Sequence, residues 1–135
     1  MHITLETDYA VRIVDTLARS RGRMGAKSIS EKACVTLRFS LKILRKLVAS
    51  GIVRSYKGAR GGYEIARPLE EISLNDILVT IEGPYVLNRC LREDAACNRV
   101  PDKHCPYHYL FQHISEQVTV QLKSVTLAQV LSSET

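Results

Sequence analysis

Apolar positions recur along this chain first at the helical period and then at the strand period, and the order of the two lays out its elements. Leu5, Tyr9, Ile13 and Leu17 stand four apart with Ala10 and Val14 beside them, which predicts a helix over residues 5–19. The run Arg19-Ser-Arg-Gly-Arg-Met-Gly25 breaks it with two glycines. Ser28-Ile-Ser-Glu31 has the form of a capping box and predicts a short helix starting at Ser28, followed by a turn at Val35-Thr-Leu37. Next, Leu37, Leu41, Leu44, Leu47 and Val48 fall on one face of a helix over 37–50, and Gly51 is placed to end it. Arg38, Lys42, Arg45 and Lys46 lie off that stripe.

The period then changes. Ile52-Val-Arg-Ser-Tyr56 and Tyr63-Glu-Ile65 are β-prone runs joined by the glycine-rich Lys57-Gly-Ala-Arg-Gly-Gly62, which predicts a hairpin. Three helices and a hairpin in about 65 residues is the order of a winged helix-turn-helix, closed by Pro68. Ser73-Leu-Asn-Asp76 caps another helix to about Glu82, ended by Gly83-Pro84. Residues 88–107 read as irregular. From Tyr107 to about Ser124 the helical period returns, with Tyr107, Phe111, Ile114, Val118, Leu122 and Val125 at steps of three and four. A long single stripe of this kind is best buried against a second copy of the chain. Thr126-Leu-Ala-Gln-Val-Leu131 closes the sequence as a short helix with Thr126 as its N-cap. The expected fold is therefore mainly α with a small β-hairpin wing. A winged helix-turn-helix occupies residues 1–67, and an irregular loop with a long dimerisation helix occupies 68–135.

Charge sharpens this division. The chain of 135 residues carries a net +5, yet residues 1–67 hold fourteen Lys/Arg against five Asp/Glu, and residues 68–135 hold five against nine. A net of +9 confined to the first half is suited to a polyanion. A 45% apolar fraction argues against disorder. No run approaches about 18 charge-free apolar residues, so no membrane span is expected. The N-terminal Met1-His-Ile-Thr-Leu-Glu-Thr-Asp8 lacks the basic and apolar regions of a secretory signal, which argues for the cytoplasm.

Two constellations carry candidate chemistry. A recognition helix reads base edges from its N-terminal end, where Thr36, Arg38, Phe39 and Lys42 stand. Arg38 is suited to bidentate bonding with guanine and Phe39 to a thymine methyl. Lys57 and Arg60 on the glycine-rich tip are suited to the minor groove or to phosphates. The second constellation is Cys90-x6-Cys97-x7-Cys105, with His104 and His108 nearby. Three soft thiols within sixteen residues suit an iron–sulfur cluster or zinc, against the simpler reading of unrelated free cysteines. Cys34, on the short second helix, is expected to be buried as a small hydrophobe.

With these segments in hand the chain resembles the IscR/NsrR/RirA type of bacterial regulator. The resemblance rests on Thr7-Asp-Tyr-Ala-Val-Arg12, Leu44-Arg-Lys-Leu-Val-Ala-Ser-Gly-Ile-Val53, the wing Lys57-Gly-Ala-Arg-Gly-Gly-Tyr63 and Ile72-Ser-Leu-Asn-Asp-Ile77. The three-cysteine loop and Thr126-Leu-Ala-Gln-Val-Leu131 complete it, so that it spans nearly the whole chain. It implies a homodimeric, double-stranded-DNA-binding transcriptional regulator acting on a near-palindromic operator. It also implies an iron–sulfur cluster, most often 2Fe–2S, ligated by Cys90, Cys97 and Cys105. The fourth ligand differs between branches of such regulators. One branch uses a histidine three residues past the last cysteine, where His108 stands. Another uses an aspartate on the first helix of the partner subunit, where Asp8 stands. The cysteine gaps are wider here than the commoner five residues. The implied function is sensing of iron–sulfur status, nitric oxide or redox state. Its rivals are a cluster-free thiol switch in the same fold and a winged-helix interaction module with a structural zinc. No nucleophile–base pair, phosphate loop or paired carboxylates point to an enzyme, and Gly58-x-x-Gly61-Gly62 lies in a hairpin with no helix after it.

Overall fold

The hydroxyl of Thr4 accepts the N–H of Thr7 at 3.2 Å and so caps α1, Leu5–Arg19, whose first turn carries Glu6 and Asp8 against the helix dipole. The computed structural model describes residues 2–20, 22–99 and 105–134. After α1 come α2 (Ala26–Ala33), α3 (Leu37–Ala49), the antiparallel strands β1 (Val53–Tyr56) and β2 (Gly62–Ile65), α4 (Leu74–Glu82), α5 (Pro106–Ser124) and α6 (Leu127–Ser132). Single 3-10 turns lie at Leu69–Glu71 and Arg89–Leu91. The fold is thus mostly helical with one two-stranded hairpin, as the sequence predicts. No helix among the described residues is long and apolar enough to cross a membrane.

One buried cluster organises the chain. It joins Ala10, Ile13, Val14 and Leu17 of α1 to Ile29 and Ala33 of α2, and to Ile43, Leu44 and Leu47 of α3. Val53 of β1, Ile72, Ile77 of α4 and Leu127 of α6 complete it. The core therefore crosses Pro68, and residue 67 marks a change of charge rather than of core. The C-terminus returns by backbone pairing: Leu74 donates its N–H to the carbonyl of Val125 and Leu127 donates to that of Ile72, each at 2.9 Å. That pairing ends α5 and aims Leu127 inward. Ser73 and Thr126, bridged to each other, each open a helix with a complete capping box, closed by Asp76 and Gln129 respectively.

The structure corrects three expectations. First, α2 starts at Ala26, not Ser28. The N–H of Met24 donates to the carbonyl of Tyr63 at 2.9 Å and receives the reciprocal bond at 2.8 Å, which holds residue 24 extended and lets the helix begin directly after Gly25. Second, Cys34 is exposed. It caps α2 in the left-handed conformation, at φ 56 and ψ 45, which turns its side chain outward and sends Val35 into the core. Third, the buried stripe of α3 is Ser40, Ile43, Leu44 and Leu47, whereas Leu37 and Leu41 are 44% and 41% exposed. Ser40 reads as polar in the sequence, yet it is fully buried at the centre of that stripe. The hairpin also needs a residue without a Cβ at Gly62. Its φ is +139, and a Cβ there would lie 2.7 Å from the carbonyl oxygen of Met24.

The hydroxyl oxygen of Ser40 is buried with no hydrogen-bond partner. A buried unsatisfied hydroxyl costs free energy that alanine does not. Ser40→Ala should therefore raise stability by about 1 kcal/mol, read as a higher urea midpoint at unchanged slope; an unchanged or lower midpoint contradicts this.

Candidate nucleic-acid interface and thiol loop

Thr36 starts α3 by accepting the N–H of Phe39 on its hydroxyl oxygen at 3.3 Å, and Val35 anchors the preceding turn in the core. With Ser40, Ile43, Leu44 and Leu47 buried, the helical period puts Arg38, Lys42 and Arg45 on the opposite side, facing solvent. Leu37 and Leu41 line one groove with these three cations. On the hairpin side, Leu41 and Arg45 continue into a cleft lined by Val48, Ser55 and Tyr63. α2, the turn at 34–36 and α3 thus form a helix-turn-helix with the hairpin as its wing. On the α1 side, the ring of Phe39 lies edge-on to Tyr9 at 6.0 Å, and the Arg12 guanidinium sits over Tyr9 at 5.4 Å.

Lys57 and Arg60 are exposed on the wing tip. The tip is held from outside the hairpin by Arg23, which sequence reasoning did not single out. Its guanidinium stacks on the Tyr56 ring at 3.3 Å and donates to the carbonyl of Arg60 at 3.3 Å. The Tyr56 hydroxyl donates in turn to Glu64 across the strand pair. No local pattern signals a contact between residues 37 positions apart; only the Met24–Tyr63 pairing brings residue 23 to the wing.

Lys46 donates to the Glu6 carboxylate at 2.7 Å, and the Lys42 ammonium lies 3.6 Å from the same oxygen. The hydrogen bond from Lys46, reinforced by the charges of Lys46 and Lys42 against some desolvation, holds the Glu6 carboxyl below its ordinary range. α3 is thereby fastened to the first turn of α1. Asp8, in the same first turn of α1, pairs with Arg12 at 2.8 Å.

The cysteine loop lies in the second half. Cys90 is half-buried on the 3-10 turn that packs against α5. Cys97 is exposed. Half-buried Cys105 caps α5, its carbonyl accepting the N–H of His108 at 3.1 Å. The His108 ring lies edge-on to Tyr109 and lines an open cleft of about 450 Å³ with Tyr85, Leu91 and Gln112. Pro101 and His104 fall outside the described residues. Among the described residues no three His, Cys, Asp or Glu side chains gather as a metal site. The remaining order in this half comes from Ser115, the one buried residue of α5, which accepts the N–H of Leu87 at 2.8 Å and donates to the carbonyl of Phe111.

Comparison with known proteins agrees with this architecture. The profile of the Rrf2 family, described as iron-dependent transcriptional regulators, matches residues 3–133. A Haemophilus influenzae protein named as a candidate HTH-type transcriptional regulator is 28% identical over 98% of this chain and 87% of its own length. The solved structure of T. potens IscR covers the whole chain and 89% of its own at a TM-score of 0.78 and 24% identity, a likeness of fold. The structure of CymR, the global cysteine regulator of B. subtilis, covers 98% of both chains at a TM-score of 0.76 and 25% identity.

The Glu6 carboxylate supplies a pH test. Its folded pKa is depressed, so its contribution is complete above the ordinary value of 4.5 and is lost as pH falls through the folded value. Glu6→Gln should lower the urea midpoint near neutral pH, and the gap from the native chain should close as the pH falls below 4.5 through the depressed folded value. A gap that does not change with pH contradicts the pairing.

Proposed function

Because the chain belongs to the Rrf2 family of iron-dependent transcriptional regulators, we propose that it is a homodimeric cytoplasmic regulator whose grip on DNA is set by the cysteine loop at 88–105. The family's members are transcriptional regulators of winged-helix fold rather than enzymes, so the open questions are what is read and what is sensed. The observation that carries the DNA part is the solvent-facing row Arg38, Lys42 and Arg45 on α3, with the wing beside it. Residues 1–67 form the DNA-binding unit. Arg38 reads guanine in the major groove, Thr36 and Lys42 contact its edge or the phosphates, and Phe39 borders the contact against α1. Lys57 and Arg60 engage the minor groove or its phosphates from the wing, which Arg23 holds in place. Residues 68–135 form the sensor and the dimer contact. Tyr107, Leu110 and Ile114 are 55%, 57% and 41% exposed on one face of α5, an apolar surface for the same helix of a second copy. A dimer of this kind sets two recognition helices about 34 Å apart, which matches a near-palindromic operator.

For the sensor, the donor chemistry fits an iron–sulfur cluster, most simply 2Fe–2S. Cys90 and Cys105 bracket one loop from two elements that pack together, with Cys97 between them and His108 one turn into α5. These three cysteines would hold the cluster, with either His108 or an Asp8 from the partner subunit as the fourth ligand. Bound there, a cluster supplies a centre that oxidants and nitric oxide attack. The chain's own part is to transmit the change. Asp8 and Glu6 share the first turn of α1, and Glu6 is fastened to Lys46 and Lys42 of α3, so movement at Asp8 is felt at the recognition helix. Any change in DNA affinity would be limited to the difference in how well the loop's three cysteines could hold a cluster in the two arrangements. A second reading, a cluster-free thiol switch on the same loop, is favoured by the likeness to CymR.

Anaerobic reconstitution followed by visible absorption separates the two: a coloured, iron- and sulfide-containing protein is expected, and a colourless one rejects the cluster. Alanine at Asp8 or His108 should shorten the lifetime of that colour for one of the two, and no effect of either removes both assignments. Arg38→Ala should relax specificity at one base pair by a factor corresponding to about 1–3 kcal/mol. Lys57→Ala should weaken binding uniformly and reduce the salt slope by about 1; unchanged binding in both variants rejects the interface.

A further inference from the structure

We propose that Leu41, with Leu37 beside it, reads the C5-methyl groups of thymine, so that the operator carries a thymine next to the base that Arg38 recognises. The inference rests on the reading that α3 enters the major groove. It starts from the two leucines that the core rejects: Leu37 and Leu41 belong to the apolar periodicity of α3 but stand 44% and 41% exposed. Successive helical residues are roughly 100° apart. With Ser40, Ile43, Leu44 and Leu47 inward, Arg38, Lys42 and Arg45 form the outward row, and Leu37 and Leu41 form the adjacent row on the wing side.

Phe39 lies on the other flank, where its ring is engaged edge-on by Tyr9. The apolar group set among the cations is therefore Leu41. It shares one groove with all three cations and a second with Arg45 and the β1–β2 residues Ser55 and Tyr63.

The charge around the leucines decides what covers them. Three cations lining one groove with two leucines match a polyanion, whereas a second copy of this helix would bring the same positive charge against it. In the major groove the apolar feature is the thymine C5-methyl, and an apolar side chain beside an arginine reads that methyl while the guanidinium reads the neighbouring pair. Burial of one methyl group corresponds to a change of about four-fold in affinity.

The test selects duplexes from a random pool with the full-length protein, then replaces each selected thymine by deoxyuridine, which removes the methyl alone. The native chain should lose about four-fold at one thymine in each half-site. Leu41→Ala should bind the thymine duplex with a similar loss and show no further loss on the deoxyuridine duplex. Leu41→Met should keep the discrimination, and Phe39→Ala should keep it as well.

Indifference of the native chain to every replacement overturns the assignment, as does a selected site without thymine. So does discrimination that disappears in Phe39→Ala and survives in Leu41→Ala. A change of oligomeric state in Leu41→Ala, measured by light scattering, would instead give these leucines to a contact between copies and overturn it too. A protein that enriches no duplex overturns the underlying DNA reading, whereas enrichment without methyl discrimination overturns only the leucine assignment.

Discussion

Two backbone hydrogen bonds between Met24 and Tyr63, at 2.9 and 2.8 Å, join the connection after α1 to the second strand of the hairpin. They constrain three things at once. They fix where α2 starts, because residue 24 is extended and the helix begins two residues later. They require glycine at residue 62, whose Cα passes too close to the Met24 carbonyl for a side chain. They also bring Arg23 to the wing, where it stacks on Tyr56 and bonds the tip at Arg60. A two-stranded hairpin is marginal alone in water; this one gains a third backbone partner and a buried Val53, and so holds a definite position beside α3.

That position matters because α3 is the element both halves of the molecule act on. Its buried stripe faces the common core, its outward row is cationic, and its α1 side is fastened by Glu6 to Lys46 and Lys42 and by Tyr9 to Phe39. The first turn of α1 and α3 are therefore held in one fixed relation. Isolated exposed ion pairs contribute little to stability. Here their consequence is geometric, since they set the register of α1 against α3.

The acidic half has a different economy. α4 and α6 are tied into the core by Ile72, Ile77 and Leu127, and by the Ser73–Thr126 bridge. α5 stands away from it, with Ser115 as its one buried residue and apolar side chains left in solvent. Such a helix is under-packed as a monomer element, which is the physical ground for assigning it to a dimer. The cysteine loop is anchored at both ends to α5, through the 3-10 turn at Arg89–Leu91 and the cap at Cys105. A change in the loop therefore bears directly on the helix that would carry the partner.

The sequence by itself determined the order of the elements, the capping of α4 and α6, the hairpin, the basic head and the position of the three cysteines. Those features are local: period, capping pairs and glycines act within a few residues of one another. What only the tertiary structure decided depended on distant partners. The start of α2 followed from Tyr63 and not from the Ser28 motif, because a strand pairing outweighs a capping preference. The outward turn of Cys34 followed from a left-handed cap that lets Val35 fill the core in its place. The face of α3 was set by Ser40, small enough to be buried against the packed helices though polar by type, and that rotation carried Leu37 and Leu41 out beside the arginines. Periodicity finds an apolar stripe, but the side of it that is buried is chosen by whichever neighbours fit closest, and those lie elsewhere in the chain.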